Sequence, residues 1–169
     1  MKTTLKLMVL ALLSAPLFLA CKKSEKKPPV DLNKTSQLEI PYQEVNGVKM
    51  IPVRLNGMSV DMIFDTGSSG MSISLHELQK MQQNGQFKAG DIRGVTAASI
   101  ADGSVVQTAV VNLREVEIGG ANGLILKNVK AHVMVNDNAP LLLGNEGVLD
   151  EMATVEIDNI KKTIKFNLH

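Results

Sequence analysis

Aromatic residues are scarce in this sequence: of 169 residues, four are Phe, one is Tyr and none is Trp. So few rings disfavour a surface that stacks nucleic-acid bases or sugars. Hydrophobic residues nevertheless make up 44% of the chain, which is enough for one packed domain. The core is therefore expected to be aliphatic.

The chain also has little cysteine and a small net charge. The chain has one Cys, which excludes an intrachain disulfide and a Cys-based zinc site. Lys and Arg number 18 against 17 Asp and Glu, and from residue 35 onward 11 basic residues face 15 acidic ones. A region with a net charge of about −4 offers no basic patch, so nucleic acid is not an expected partner.

Residues 1–20 have the features of an export signal. Lys2 and Lys6 precede an uncharged run over residues 7–20 that contains a proline. This run is too short for a comfortable membrane span, but it fits the apolar region of a signal peptide. We therefore expect residues 1–20 to be a signal peptide.

Cys21 ends the string Leu-Phe-Leu-Ala-Cys, which resembles the lipobox of bacterial lipoproteins, with Phe18 where that box usually has Leu. The resemblance implies that Cys21 is lipidated and becomes the new N-terminus. Several acyl chains would then anchor the protein stably to a membrane. The alternative is a secreted protein with a free thiol.

Residues 22–34 are charged and contain prolines, so they bury too little apolar surface to fold and are expected to form a tether. Their net charge of about +3 permits attraction to anionic lipid headgroups, although a solvated linker is the simpler interpretation. Lys22 stands where some bacteria use Asp to retain lipoproteins in the inner membrane, which favours the outer membrane of a bacterial envelope. The folded domain is expected over residues 35–169.

This domain is expected to be mostly β. From Gln37 onward, segments rich in Val, Ile and Leu alternate with period two between turn signals. Asn-Gly pairs at 46–47 and 56–57 are typical of tight hairpin turns. The predicted strands cover residues 38–42, 48–55, 58–64, 95–100, 104–111, 114–118, 129–135, 153–157 and 163–167. Residues 141–143 are by default also a strand in the core.

One helix is predicted over residues 75–83. Ser74 and Glu77 have capping-box spacing, and three apolar residues then share one face before Asn84-Gly85 ends the pattern: Leu75, Leu78 and Met81. No internal repeat of 20 to 50 residues is present, which excludes solenoids and propellers. Many short strands with one helix predict an all-β fold, a small barrel or a sandwich.

The predicted strand over residues 58–64 runs directly into Asp65-Thr66-Gly67-Ser68-Ser69-Gly70. A carboxylate at the end of an apolar strand is costly to desolvate unless N–H and O–H donors in the turn satisfy it. This placement indicates a functional group. The alternative is that Asp65 only shapes the turn.

The string Ile-Phe-Asp-Thr-Gly-Ser-Ser resembles the active-site turn of the aspartic peptidases. From about Leu38 to Phe166, the order of segments resembles their single-lobed, retropepsin-like branch. Its flap is matched by a hairpin with its tip at residues 101–104, and its hydrophobic-hydrophobic-Gly element by residues 140–144. The resemblance implies a small closed all-β barrel with one or two short helices.

Two segments depart from the family pattern. Asn145-Glu146-Gly147 replaces the usual Met-Ser-aromatic type of sequence, just before Val148-Leu149, where the following helix usually starts. The stretch over residues 84–94 is longer than in viral relatives. The Asp-Thr-Gly at 65–67 is intact.

The chemistry of this family requires two carboxylates. Like charges about 3 Å apart cannot both ionise, so one acts as base toward a water and the other as acid toward the peptide carbonyl. The chain has one Asp-Thr-Gly and is too short for two lobes. The resemblance therefore implies a twofold homodimer in which each copy contributes Asp65.

The resemblance also implies roles for the neighbouring residues. Thr66 would hydrogen-bond across the dyad, Gly67 leaves room for its amide to approach the carboxylate, and Ser68 could donate to the outer carboxylate oxygen. A flap tip at Ala101, Asp102 and Gly103 would close over an extended peptide. Alternatively, Asp102-Gly103 is an ordinary hairpin turn.

Other chemistries have less support. The three His residues lack the spacing of a zinc peptidase, and Gly67-Ser68-Ser69-Gly70 is one residue short of a nucleophile elbow. No nucleotide-binding motif is present either. Neither a metal nor a cofactor is therefore predicted. The predicted function is a lipid-anchored aspartic endopeptidase acting on peptides or proteins. The alternative is a non-catalytic lipoprotein that uses this fold for peptide binding or assembly.

Overall fold

The structure is a computed structural model that describes residues 37–100, 103–120 and 123–169. The predicted signal peptide, Cys21 and the linker over residues 22–34 lie outside the described residues, as do Ala101 and Asp102 of the predicted flap tip. Within the described ranges, no helix is long and apolar enough to cross a bilayer.

The described residues form eleven strands and one α-helix. In chain order they are β1 (Gln37–Pro41), β2 (Gln43–Val45), β3 (Val48–Leu55), β4 (Met58–Phe64), β5 (Met71–Ser74), α1 (Leu75–Gln83), β6 (Ile92–Ser99), β7 (Val105–Ile118), β8 (Leu124–Met134), β9 (Leu142–Leu143), β10 (Met152–Asp158) and β11 (Thr163–Leu168). The all-β class is confirmed.

The local turn and cap chemistry determines several element boundaries. Asn46 and Gly47 have φ of 51° and 81°, and Asn56 and Gly57 have 48° and 89°, the left-handed pair that a tight hairpin requires. The predicted bounds of β3 and β4 are confirmed. So are those of α1, whose N-cap Ser74 accepts from the backbone N–H groups of the first turn.

Eight strands form one sheet in the order β2-β3-β4-β9-β5-β8-β7-β6, and β3 also pairs with β7. This last pairing closes the strands from β3 to β7 into a ring, as predicted for a small barrel. The pairing of β3 with β7 that closes the ring has three residue pairs, from Val53 opposite Ile118 to Leu55 opposite Val116. The barrel is therefore closed by a short stretch of each strand and not along their whole length. β2 and β6 lie outside it.

The core is aliphatic, as the composition indicates. Its fully buried side chains come from nearly every strand and from the inner face of α1. A second sheet, ordered β1-β11-β10, contributes Phe166, whose ring meets that of Phe64 edge-on at 6.1 Å between centroids. The terminal strands therefore support the last residue before Asp65.

Several elements differ from the predictions. β7 is one strand through residues 112–113, where two strands were expected, because Asn112 is buried while its amide donates to Asn128 Oδ1 at 3.3 Å. β8 begins five residues earlier than predicted, β9 covers two of the three residues expected as a core strand at 141–143, and β2 was not predicted. The helix expected after Val148 is a single 3-10 turn, Leu149–Glu151.

β9 lies between β4, which it parallels, and β5, to which it is antiparallel. The residue after it, Gly144, has no space for a side chain. A Cβ built there would lie 2.3 Å from the carbonyl oxygen of Gly70 and 2.8 Å from that of Ser68. Only glycine allows the two main-chain segments to approach this closely.

We expect Gly144→Ala to lower the free energy of unfolding by about 3 kcal/mol, because backbone atoms must move to accommodate the methyl group. Urea denaturation followed by circular dichroism measures this. Gly70→Ala is the matched control: its Cβ meets nothing closer than 3.6 Å, so the change should stay below about 1 kcal/mol. Equal losses in the two variants would contradict the close approach described at Gly144.

Candidate active site

Asp65 is the first residue after β4, and its carboxylate is held by the turn that it begins. Its backbone N–H donates to the carbonyl oxygen of Leu143 at 3.1 Å, and its own carbonyl accepts from Ser68 N at 3.2 Å. Gly67 N–H donates to Asp65 Oδ1 at 2.9 Å. The residue is half-buried, so the carboxylate has a backbone donor and access to solvent.

Thr66 and Gly67 form the exposed tip of this turn. A Cβ at Gly67 would lie 3.2 Å from Asp65 Oδ1, closer than ordinary van der Waals contact, which is the reason expected for glycine here. The predicted role of Thr66 involves a second copy of the chain and stays a prediction.

Ser68 does not make the hydrogen bond predicted for it. Its hydroxyl donates to the carbonyl oxygen of Gly70 at 2.8 Å. Because a hydroxyl has a single proton, it cannot also donate to Asp65 in this arrangement. Ser68 thus stabilises the path of the turn toward β5 rather than the outer oxygen of the carboxylate.

Asn145 contacts the turn directly, although its sequence context marks it only as a departure from the family pattern. Its side-chain Nδ2 donates to the carbonyl oxygen of Thr66 at 2.9 Å, and its backbone N–H donates to the carbonyl of Ser68 at 3.0 Å. The signal that could have identified it was an amide, directly after Gly144, at a position where the family usually has an apolar residue.

Four side chains form a row across the sheet, starting from β4, the strand that leads to Asp65. Ile63 of β4 pairs with Leu142 of β9, which pairs with Ser72 of β5, which pairs with His132 of β8. Neighbouring strands lie about 4.8 Å apart, so the row is about 14 Å long. Three of its members are half-buried and Ser72 is buried. The row begins two residues before Asp65 and places both apolar and polar side chains beside the turn.

His132 ends this row in a polar environment. Its Nδ1 lies 3.2 Å from Thr108 Oγ1, and beside it Lys130 Nζ donates to Glu146 Oε1 at 2.6 Å. Burial, and then the charge of Lys130, lower the pKa of His132, while Glu146 opposes them. With its pKa below the usual value, the ring is neutral near pH 7.

The hairpin of β6 and β7 lies where the flap was expected. It narrows to a turn in which Ile100 N–H donates to the carbonyl of Ser104 and Gly103 N–H to the carbonyl of Ile100, both at 2.9 Å. Gly103 is exposed with φ of 84°. Because Ala101 and Asp102 lie outside the described residues, closure over a substrate stays a prediction.

Comparison with known proteins agrees with this geometry. A family model described as aspartyl protease matches residues 51–146, a range that includes Asp65, the β6–β7 hairpin and Asn145. The crystal structure of a retropepsin-like aspartic protease from Rickettsia conorii is similar, with a TM-score of 0.53 and 21% sequence identity over 85% of this chain and 97% of that one. No curated protein matches.

At this identity, the structural likeness shows the fold alone, and the fold is retropepsin-like. The family model matches more than half of the 169 residues, including the Asp-Thr-Gly turn. The chain therefore belongs to the aspartyl protease family.

Proposed function

We propose that the protein is an aspartic endopeptidase in which two Asp65 carboxylates, one from each copy of a homodimer, activate the attacking water. The observation that carries this proposal is the intact Asp-Thr-Gly turn, with Asp65 half-buried at the end of an apolar strand and Gly67 N–H directed at its Oδ1. Family membership adds support, because the matched range contains this turn.

The reaction divides between the two carboxyl groups. The ionised one accepts a proton from water as the water oxygen attacks the peptide carbonyl carbon, and the protonated one donates to the carbonyl oxygen. When the tetrahedral intermediate collapses, the carboxyl group that took the proton from water gives it to the amide nitrogen, and the other carboxylate takes back a proton from the intermediate's hydroxyl. The C–N bond breaks and the amine leaves. A single carboxyl group cannot be base and acid in the same step, so the reaction needs two.

Two features support a homodimer. The chain contains one Asp-Thr-Gly in 169 residues, so a second carboxylate of this kind has to come from another copy. In addition, Thr66 and Gly67 are exposed in the single chain, which leaves the tip of the turn accessible to a twofold partner.

Asp65→Asn tests the enzyme directly. Asn has the size of Asp but cannot act as a base, so cleavage of a diverse peptide library should fall by at least about 100-fold while the circular dichroism spectrum is unchanged. Asp61→Asn is the matched control, since this exposed carboxylate lies on β4, the strand that leads to Asp65. This variant should cleave like wild type. A statine-type inhibitor should block the wild type.

If wild type and Asp65→Asn both bind peptides and neither cleaves them, the protein is a binding or assembly module instead.

Mixing experiments test the dimer. An excess of Asp65→Asn should suppress wild-type cleavage, because a heterodimer holds one carboxylate, whereas an excess of Asp61→Asn should not. Sedimentation of the chain without residues 1–34 at micromolar concentration should show reversible pairing. A strict monomer that still cleaves peptides would contradict the proposed mechanism.

We also propose that Cys21 carries the lipid that anchors the protein in a bacterial envelope, more specifically in the outer membrane. The support is the lipobox-like string that Cys21 ends and the Lys that follows it. In bacteria producing the chain, radiolabelled palmitate should be incorporated and the protein should fractionate with membranes. Cys21→Ser should lose both properties and Ser24→Ala neither. Labelling of Cys21→Ser at the wild-type level would refute the anchor.

A further inference from the structure

We infer that Asn145 is a positioning residue for the catalytic carboxylate and that it acts through the peptide unit between Thr66 and Gly67. This inference rests on the proposed function, because positioning has a catalytic meaning only if Asp65 reacts. It concerns a residue at which this chain departs from the family pattern.

The geometry is a relay through one peptide plane. The carbonyl oxygen of Thr66 accepts from Asn145 Nδ2 at 2.9 Å. The N–H of Gly67, which belongs to the same peptide unit, donates to Asp65 Oδ1, also at 2.9 Å. Because the unit is planar and trans, its C=O and N–H point in opposite directions, so holding the oxygen fixes the direction of the N–H.

Asn145 is itself firmly placed. Its backbone N–H donates to the Ser68 carbonyl at 3.0 Å, and its carbonyl accepts from Val148 N and Asp150 N, both at 3.1 Å. It also follows Gly144, whose backbone lies so close to the carbonyls of Ser68 and Gly70 that an added Cβ would clash with both. A side-chain donor on such a rigid segment loses little conformational entropy when it holds the turn.

The relay also has an electrostatic effect. A hydrogen bond accepted by a carbonyl polarises its peptide unit and makes the attached N–H a stronger donor. A donor directed at a carboxylate favours the ionised form. Asn145 should therefore favour the ionised Asp65, the form that accepts the proton from water, without touching substrate or the reacting atoms.

Asn145→Leu tests the relay, because Leu has a similar size and no donor. In the full chain, we expect kcat to fall about five- to tenfold with KM unchanged. We also expect the acid limb of the kcat/KM profile to move to higher pH, since ionisation is less favoured. Asn138→Leu is the matched control: Asn138 is exposed in the loop before Pro140, and its substitution should change neither quantity.

A second measurement separates this inference from the proposed function. Hydrogen exchange of the Gly67 amide, followed by NMR, should be faster in Asn145→Leu than in wild type or Asn138→Leu. If wild type cleaves peptides but Asn145→Leu keeps its pH profile and Gly67 exchange, the inference is wrong and the proposed function stands. If wild type cleaves nothing, the proposed function fails, and unchanged exchange at Gly67 would overturn the relay as well.

If Asn145→Leu does not fold, Asn145→Asp replaces it, because Asp keeps the shape and presents an acceptor to the Thr66 carbonyl when ionised. It should show the same faster exchange of Gly67 near pH 7, where its carboxyl group is ionised. Wild-type exchange in a folded Asn145→Asp would also overturn the relay.

Discussion

Main-chain hydrogen bonds between the Asp65 turn and the segment around β9 determine where the carboxylate lies. Ile63 and Asp65 donate to the carbonyls of Leu141 and Leu143, and Asn145 and Glu146 donate back to those of Ser68 and Ser69. The turn is thus held from both sides by main-chain atoms, whose bonds do not depend on the identity of the side chains. Side chains elsewhere can therefore change without moving the turn.

The features that could be predicted from the sequence are those with local causes. The two Asn-Gly turns require left-handed backbone conformations that few residue pairs adopt, and the cap at Ser74 involves N–H groups two and three residues away. The Asp-Thr-Gly turn is also local, because the Gly67 amide reaches Asp65 across two residues. Their positions therefore followed from short stretches of sequence.

The features that could not be predicted depend on partners far along the chain. A strand was expected over residues 141–143, but its limitation to the two residues of β9 depends on which of them pair with β4 and β5. β7 continues through Asn112 because Asn128, on another strand, satisfies its amide. The same limit applied to Asn145, whose acceptor lies 79 residues away. The prediction for Ser68 failed for another reason: its acceptor, the Gly70 carbonyl, is only two residues away, but the local sequence did not decide between it and the Asp65 carboxylate.

The contact between Phe64 and Phe166 has a consequence for biosynthesis. Phe166 is fully buried, and β11, which carries it, lies between β1 and β10. Because the ribosome makes Phe166 about 100 residues after Phe64, the strand that leads to Asp65 lacks part of its support until β11 has been synthesised. A nascent chain that lacks β11 consequently leaves part of the Phe64 ring uncovered and the Asp65 turn less well packed than in the folded domain.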